Sequence, residues 1–305
     1  MLRLIVSRLA GGVAVIVAVA TLAFFLLHAA PGGPFDAERA LPENVRKNVE
    51  AHYHLDEPIL SQYARYMGDL AHGDFGQSIK RVSTVSEIIR VHFPYSLAIG
   101  VSALAIAITF GLLMGVIAAW RRNTWLDYLL MSIALVGISI PSIVLGPLLV
   151  AYFSLQLGWL PPARIEGLSS YILPALVLGM IYMGTIARLS RGAMLEVLSQ
   201  DFVRTARAKG LRERVVLWKH AARLGVVPVV TYLGPATATL ISGSFVVEKI
   251  FGVPGLGSFF IESITNRDYP LLCGTLVFYV MFLVVLNIAV DIVHGILDPR
   301  IRERR

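Results

Sequence analysis

Apolar positions along this chain come in long unbroken runs. They show neither the three-to-four spacing of a soluble helix nor the alternation of a half-buried strand. Six stretches contain no Asp, Glu, Lys or Arg: Leu9–Leu27, Leu97–Ala119, Tyr128–Leu155, Tyr171–Ala187, Leu224–Val247 and Tyr269–Val290. A bilayer core needs roughly 20 apolar residues in a helix, and each stretch meets or approaches that length. The pattern predicts an all-α, polytopic membrane protein with six transmembrane helices. The third and fifth stretches carry prolines (Pro141 and Pro147; Pro228 and Pro235). Membrane helices kink at proline while neighbouring groups satisfy the freed carbonyls, so bent but unbroken helices are expected there. The first stretch follows Arg3 and Arg8 and resembles a secretory leader. Its 19 residues exceed the roughly 7–15 of a leader's apolar region, and the Leu-His-Ala-Ala-Pro that ends it is a poor cleavage site. It reads as a retained span.

Charge gives the orientation. With both termini in the cytoplasm, the inner segments hold 17 Lys and Arg residues and the short outer loops hold three, Arg164, Lys249 and Arg267. That asymmetry is the positive-inside pattern. It predicts residues 1–30 as a first transmembrane helix, 31–96 as a periplasmic segment, and 97–305 as a transmembrane core with a cytoplasmic loop at 188–223. In the outer segment, Pro31-Gly32-Gly33-Pro34 stops the first helix. Asp56-Glu57-Pro58 predicts a helix start with Asp56 as cap, and Thr84-Val85-Ser86-Glu87 fits a capping box. His52 and His54, two apart, share no helix face and are not read as a metal site.

Composition sharpens this. The 305 residues are 56% hydrophobic and 15% charged, with a mean hydropathy of +0.70; soluble domains carry about 25% charged residues. A soluble enzyme and a disordered chain are both excluded. A single cysteine, Cys273, rules out an internal disulfide and reads as a core residue. The net charge of +7 does not point to nucleic acid, because nearly all of the excess sits in 188–223. Nine basic residues there (Arg188, Arg191, Arg204, Arg207, Lys209, Arg212, Arg214, Lys219, Arg223) face three acidic ones (Glu196, Asp201, Glu213), a net +6. Apolar positions from Met194 to Ala206, then Gly210, then Val215 to Leu217 predict a helix–Gly–helix loop. It is either an anchor on anionic lipid or a docking surface for a cytosolic partner.

Several chemistries are missing. No lysine follows a glycine, so there is no phosphate-binding loop of the G-x-x-x-x-G-K type; no His-Glu pair or G-x-S-x-G elbow occurs. No catalytic residue, metal site or cofactor is assigned to this chain. Ion-coupled carriers need ionisable groups inside the membrane; the second to fifth stretches have none, and Asp291 and His294 near the end of the sixth read as a local pair. Energy must therefore come from another subunit. Gly111 and Gly115 form G-x-x-x-G, and Gly234, Ala238 and Ser242 form a small-residue stripe beside Thr231, Thr237, Thr239 and Ser244. Either set can be helix packing, and the second can also line a pathway.

The segment Asp201-Phe202-Val203-Arg204-Thr205-Ala206-Arg207-Ala208-Lys209-Gly210-Leu211 resembles the EAA loop of ABC-importer permeases in its peptide-permease form. Arg204, Thr205 and Ala206 stand at the Glu-Ala-Ala positions and Gly210 at the glycine that follows. Arg204 replaces the Glu, and Pro228 lies beyond the general family's spacing; the peptide subgroup shares both departures. Ala30-Pro31-Gly32-Gly33-Pro34-Phe35, Tyr53-His54-Leu55-Asp56-Glu57-Pro58, Leu70-Ala71-His72-Gly73-Asp74-Phe75-Gly76, Gly252-Val253-Pro254-Gly255-Leu256-Gly257, Asn266-Arg267-Asp268-Tyr269 and Leu297-Asp298-Pro299-Arg300 resemble the B-type subunits of oligopeptide permeases in the peptide/nickel family. The resemblance spans the chain. It implies a multi-pass subunit of a bacterial cytoplasmic (inner) membrane that imports oligopeptides. Dipeptide, nickel and glutathione permeases share most of the motifs, and a non-transport membrane scaffold is the rival from another class. The implied partners are a second permease, two cytosolic ABC ATPases that carry ATP and Mg, and an extracytoplasmic peptide-binding protein. Arg204, Thr205, Ala206, Arg207, Ala208, Lys209, Gly210 and Leu211 would be the ATPase-coupling residues.

Overall fold

The computed structural model describes residues 2–29, 56–242 and 245–297. Pro31–Pro34, His52, His54, Ser244 and the Leu297–Arg300 motif beyond Leu297 lie outside the described residues, as do the side chains of Ala238, Ser242 and His294. The described residues are almost wholly helical, and their only β pairing is one bridge between Gln77 and Thr84.

Four helical stretches are continuous and apolar enough to cross a bilayer: Val6–Ala29, Val85–Trp120, Leu168–Leu198 and Tyr269–Ile292. A fifth crossing is a bent pair, Trp125–Ser139 with Ser142–Gln156, whose halves meet at 111°. The expectation of a merely bent third helix is corrected here. The residue before a proline is driven from the helical to the extended region by the pyrrolidine ring, and Ile140, before Pro141, has φ −91° and ψ 119°. The helix stops there. The predicted fifth span is not one continuous helix either: helical residues end at Gly225, and the next helix, Val227–Ser242, has 16 residues. Pro228 falls in its first turn, where a missing N–H costs nothing.

The chain forms two compact units. The first comprises residues 1–94 and 255–288. It contains α1 (Leu2–Ala29), α2 (Ile59–Ala71), the first part of α3 (Val85–Trp120), and two later helices, Leu256–Thr265 and most of Tyr269–Leu297. Helix α2 begins three residues after Asp56. Its entry is held by Glu57, which accepts from Ser61 Oγ (2.9 Å) and Arg65 Nη2 (2.7 Å), so Asp56 is not the cap. Thr84 does cap α3: its hydroxyl accepts the Glu87 N–H at 3.2 Å. Val85, Ile88, Ile89, Leu256, Leu271 and Tyr279 form the core of this unit. Cys273 is buried in it.

The second unit comprises 95–254 and 289–305. It holds the rest of α3, α4 (Trp125–Ser139), α5 (Ser142–Leu149, continued by a π-turn to Gln156), α6 (Ile172–Leu198), α7 (Asp201–Ala208), α8 (Glu213–Val215), α9 (Ala222–Gly225), α10 (Val227–Ser242) and α11 (Phe245–Phe251). A π-turn, Val216–Ala221, joins α8 to α9. In the numbering that results, the two helices of the first unit named above are α12 (Leu256–Thr265) and α13 (Tyr269–Leu297).

Helix α6 is the axis of the second unit. Glycine lets its backbone meet two neighbours closely. A Cβ on Gly111 or Gly115 of α3 would lie 2.8 Å from the Met183 carbonyl or 2.6 Å from that of Ala187. On the α4 side, a Cβ on Gly184 would lie 2.2 Å from the Ala134 carbonyl. The G-x-x-x-G pair of α3 is therefore a helix-packing device.

Candidate functional site

The candidate site stands at the end of α6. The predicted span ended at Ala187, but the helix runs on to Leu198, carrying Met194 and Val197 into a buried cluster with Val116 and Ala119 of α3. After Ser199 and an extended Gln200, α7 begins. Its eight residues are amphipathic at helical spacing. Val203 (0% exposed) and Ala206 (7%) enter the same cluster, three apart on one face. Phe202, Arg204, Thr205, Arg207 and Ala208 are exposed on the other.

Gly210 closes α7. Its φ is +76°, in the left-handed region where a Cβ crowds the following carbonyl. The turn is hydrogen-bonded as a Schellman motif: the Gly210 N–H donates to the Arg207 carbonyl at 2.9 Å, and the Leu211 N–H to the Ala206 carbonyl at 3.4 Å. Nothing lies within 4 Å of where a Cβ would stand. Glycine is required here by the backbone angle, not by space. Beyond the turn, Arg207 reaches back to Glu213 with Nη2 at 2.7 Å and Nε at 3.2 Å. Those hydrogen bonds hold the guanidinium pKa above its ordinary value. Arg204 sits 3.4 Å from Asp201 in an exposed pair, which stabilises little. Lys209, Arg212, Arg214 and Lys219 are exposed, as are Leu211 and Trp218. The eight candidate residues thus form one continuous element, basic and apolar at its surface.

The second candidate group is placed differently. A Cβ on Gly234 would lie 2.6 Å from Val290 Cγ1. The neighbouring hydroxyls of Thr231, Thr237 and Thr239 each bond a carbonyl four residues back in α10 (Val227, Leu233 and Pro235).

Two polar clusters escaped the sequence reading. In the second unit, Arg191 of α6 donates to both carboxylate oxygens of Asp127 in α4, Nε to Oδ1 at 2.7 Å and Nη2 to Oδ2 at 2.8 Å. In the first unit, buried Asp268 accepts from Ser78 Oγ and from the N–H groups of Ile79 (3.2 Å), Lys80 (3.4 Å) and Leu271 (3.3 Å). Arg81 Nη2 donates to both carboxylate oxygens of Glu262, at 2.9 and 2.8 Å. One signal was available for the first cluster: an acidic residue, Asp127, directly before one apolar run and a basic one, Arg191, four residues after another.

All-α architecture with several bilayer-length helices and glycine-mediated helix contacts is that of a polytopic membrane protein. The family model described as binding-protein-dependent transport system inner membrane component matches residues 111–303, and its N-terminal counterpart matches 1–100. The chain belongs to that family. It is 45% identical over 303 residues to the dipeptide transport system permease protein DppB of Bacillus subtilis (strain 168), covering 99% of this chain and 98% of that one. It is 42% identical over 305 residues to the oligopeptide transport system permease proteins OppB of Salmonella typhimurium and Escherichia coli K12, covering 99% of this chain and all of theirs. Among solved structures, a chain of the inward-facing MetNI methionine ABC transporter matches with a TM-score of 0.60 at 18% identity, over 70% of this chain and 97% of that one. That likeness concerns the fold alone.

Proposed function

We propose that this chain is a translocation subunit of an ABC importer for oligopeptides, with α7 and its closing turn as the element that engages a cytosolic ATPase. The observation that carries the reading is α7 itself: an eight-residue helix whose buried face is fixed to α3 and α6 while Arg204, Thr205, Arg207 and Ala208 stay exposed. A loop that only anchored to lipid would not need a rigid, capped helix. Exposed Phe202 and Trp218 among arginines match the aromatic and guanidinium chemistry that dominates protein interfaces.

In this reading the bilayer is crossed six times: by α1, α3, the α4–α5 pair, α6, the 224–247 stretch and α13. Both termini are cytoplasmic, residues 31–96 are periplasmic, and 97–305 form the core. A second permease completes the pathway, two ATPases bind ATP and Mg below, and a binding protein delivers peptide from outside. The stripe at Gly234, Ala238 and Ser242 is a pathway or packing face. Dipeptides are the second reading of the substrate, raised by the 45% identity to a dipeptide permease beside 42% to oligopeptide permeases.

Reconstitution of the chain with its partner permease, ATPases and binding protein tests this. Uptake of labelled tri- to pentapeptides should require ATP and the binding protein, and should survive Asp291→Asn. Uptake driven by a proton gradient without ATP refutes it; transport of dipeptides alone selects the second substrate reading.

A further inference from the structure

Asp127 and Arg191 lie outside the element assigned to ATPase contact, yet their geometry bears on it. Asp127 is 2% exposed and every oxygen is engaged: Oδ1 by Arg191 Nε, Oδ2 by Arg191 Nη2 and by the Asn123 N–H at 2.9 Å. Asn123 itself has φ +60°, so this carboxylate also fixes the turn Arg121–Thr124 that joins α3 to α4. Arg191 lies on the last two turns of α6, ten residues before α7 begins. Three hydrogen bonds to one carboxylate therefore tie together the end of α6 that bears α7, the start of α4, and the α3–α4 turn. Higher up, Gly184 holds α6 against α4, and Gly111 and Gly115 hold it against α3. Val116 and Ala119 of α3 also pack in one cluster with Val203 and Ala206 of α7. These contacts oppose sliding between the helices when α7 is displaced. Along α4, the first break beyond the pair is at Ile140–Pro141, at the far end of that helix.

We propose that Asp127 and Arg191 are positioning residues for coupling: they lock α3, α4 and α6 into one lever, so that motion at α7 arrives at the Ile140–Pro141 break without loss. This rests on the proposed role of α7. Asp127→Asn keeps the size of the side chain and an acceptor for the Asn123 N–H while removing the charge; Arg191→Gln removes the fork. In reconstituted complex, both single variants should assemble and hydrolyse ATP at the basal rate. Stimulation of hydrolysis by binding protein loaded with a tripeptide should fall roughly 2- to 30-fold, the range found for substitutions along coupling networks. The double variant should be no worse than the poorer single one, because the pair acts as a unit. Arg191→Lys, which keeps charge but loses the fork, should fall between and serves if Arg191→Gln prevents assembly. Normal stimulation in the single variants, or multiplicative loss in the double, overturns the lever. A purely structural role would reduce assembled complex or basal hydrolysis in step with stimulation in Asp127→Asn and Arg191→Lys as well, and that outcome also overturns it. Gly210→Val, run in parallel, separates the two claims. Loss of stimulation in Gly210→Val but not in Arg191→Gln defeats the lever alone, whereas normal stimulation in both defeats the coupling role of α7.

Discussion

Substitution at Gly210 offers a test in which the order of effects, not only their size, is fixed by geometry. The φ of +76° is the only obstacle, because the space around a Cβ is empty. An L-residue in this region costs roughly 1–2 kcal/mol, a factor of about 5–30 in the population of the turn. Escape to negative φ forfeits the two bonds to the Arg207 and Ala206 carbonyls, each contributing about 1 kcal/mol, so neither route is cheaper. Asn visits this conformation routinely; Ala does not, and β-branched Val does so least. Uptake and ATPase co-purification should therefore rank Gly, then Asn, then Ala, then Val, with Val reduced about tenfold or more. Permease abundance should stay near normal, because the spanning helices bury their apolar surface without this turn. A crowding effect would give a different order, since Asn is larger than Ala. Asn below Ala, or Val with normal uptake, refutes the reasoning.

Three further outcomes follow from the geometry. Cysteines at Lys80 and Arg207 should react with impermeant maleimide from opposite sides of the membrane; labelling from one side contradicts the proposed topology. Gly184→Ala brings a Cβ to 2.2 Å from the Ala134 carbonyl, and parting α4 from α6 should cost about 1–3 kcal/mol, seen as a lower thermal midpoint in detergent. Asp268→Asn should loosen the Ser78–Lys80 loop, at about 1.5–3 kcal/mol for hydrogen bonds to a charged acceptor, and raise its cleavage by protease without altering α7.

Most of the fold was legible because lipid exposure imposes a crude signal. Apolar runs of 17 to 23 residues marked α1, α3, α6 and α13, and the Thr84 cap and the helix–Gly–helix turn at Gly210 followed from local rules. The break at Ile140 was also inscribed locally, in the residue before Pro141, but expecting neighbouring groups to hold the helix together gave a bend instead. Asp56 failed as a cap because Glu57 took over the entry of α2 through Ser61 and Arg65. The Asp127–Arg191 fork joins residues 64 apart, and Asp268 gathers a loop 190 residues away. Such pairs depend on which helices touch, and apolar runs that all look alike carry no information about neighbours. The extension of α6 past Ala187 was hidden for a related reason: charged residues end a lipid-facing run without ending a helix.

The two faces of α7 divide tolerance to change. Val203 and Ala206 are held by residues from α3, α6, the π-turn and α9, so a larger or polar side chain at either disturbs four segments at once. Arg204, Thr205, Arg207 and Ala208 are exposed on the opposite face, and exchange there leaves the scaffold's stability nearly unchanged. Mutation can therefore explore the outer face while the inner face stays fixed. A helix arranged this way can drift in step with whatever surface it meets, and a duplicated copy could acquire a new partner by a few exchanges without having to refold.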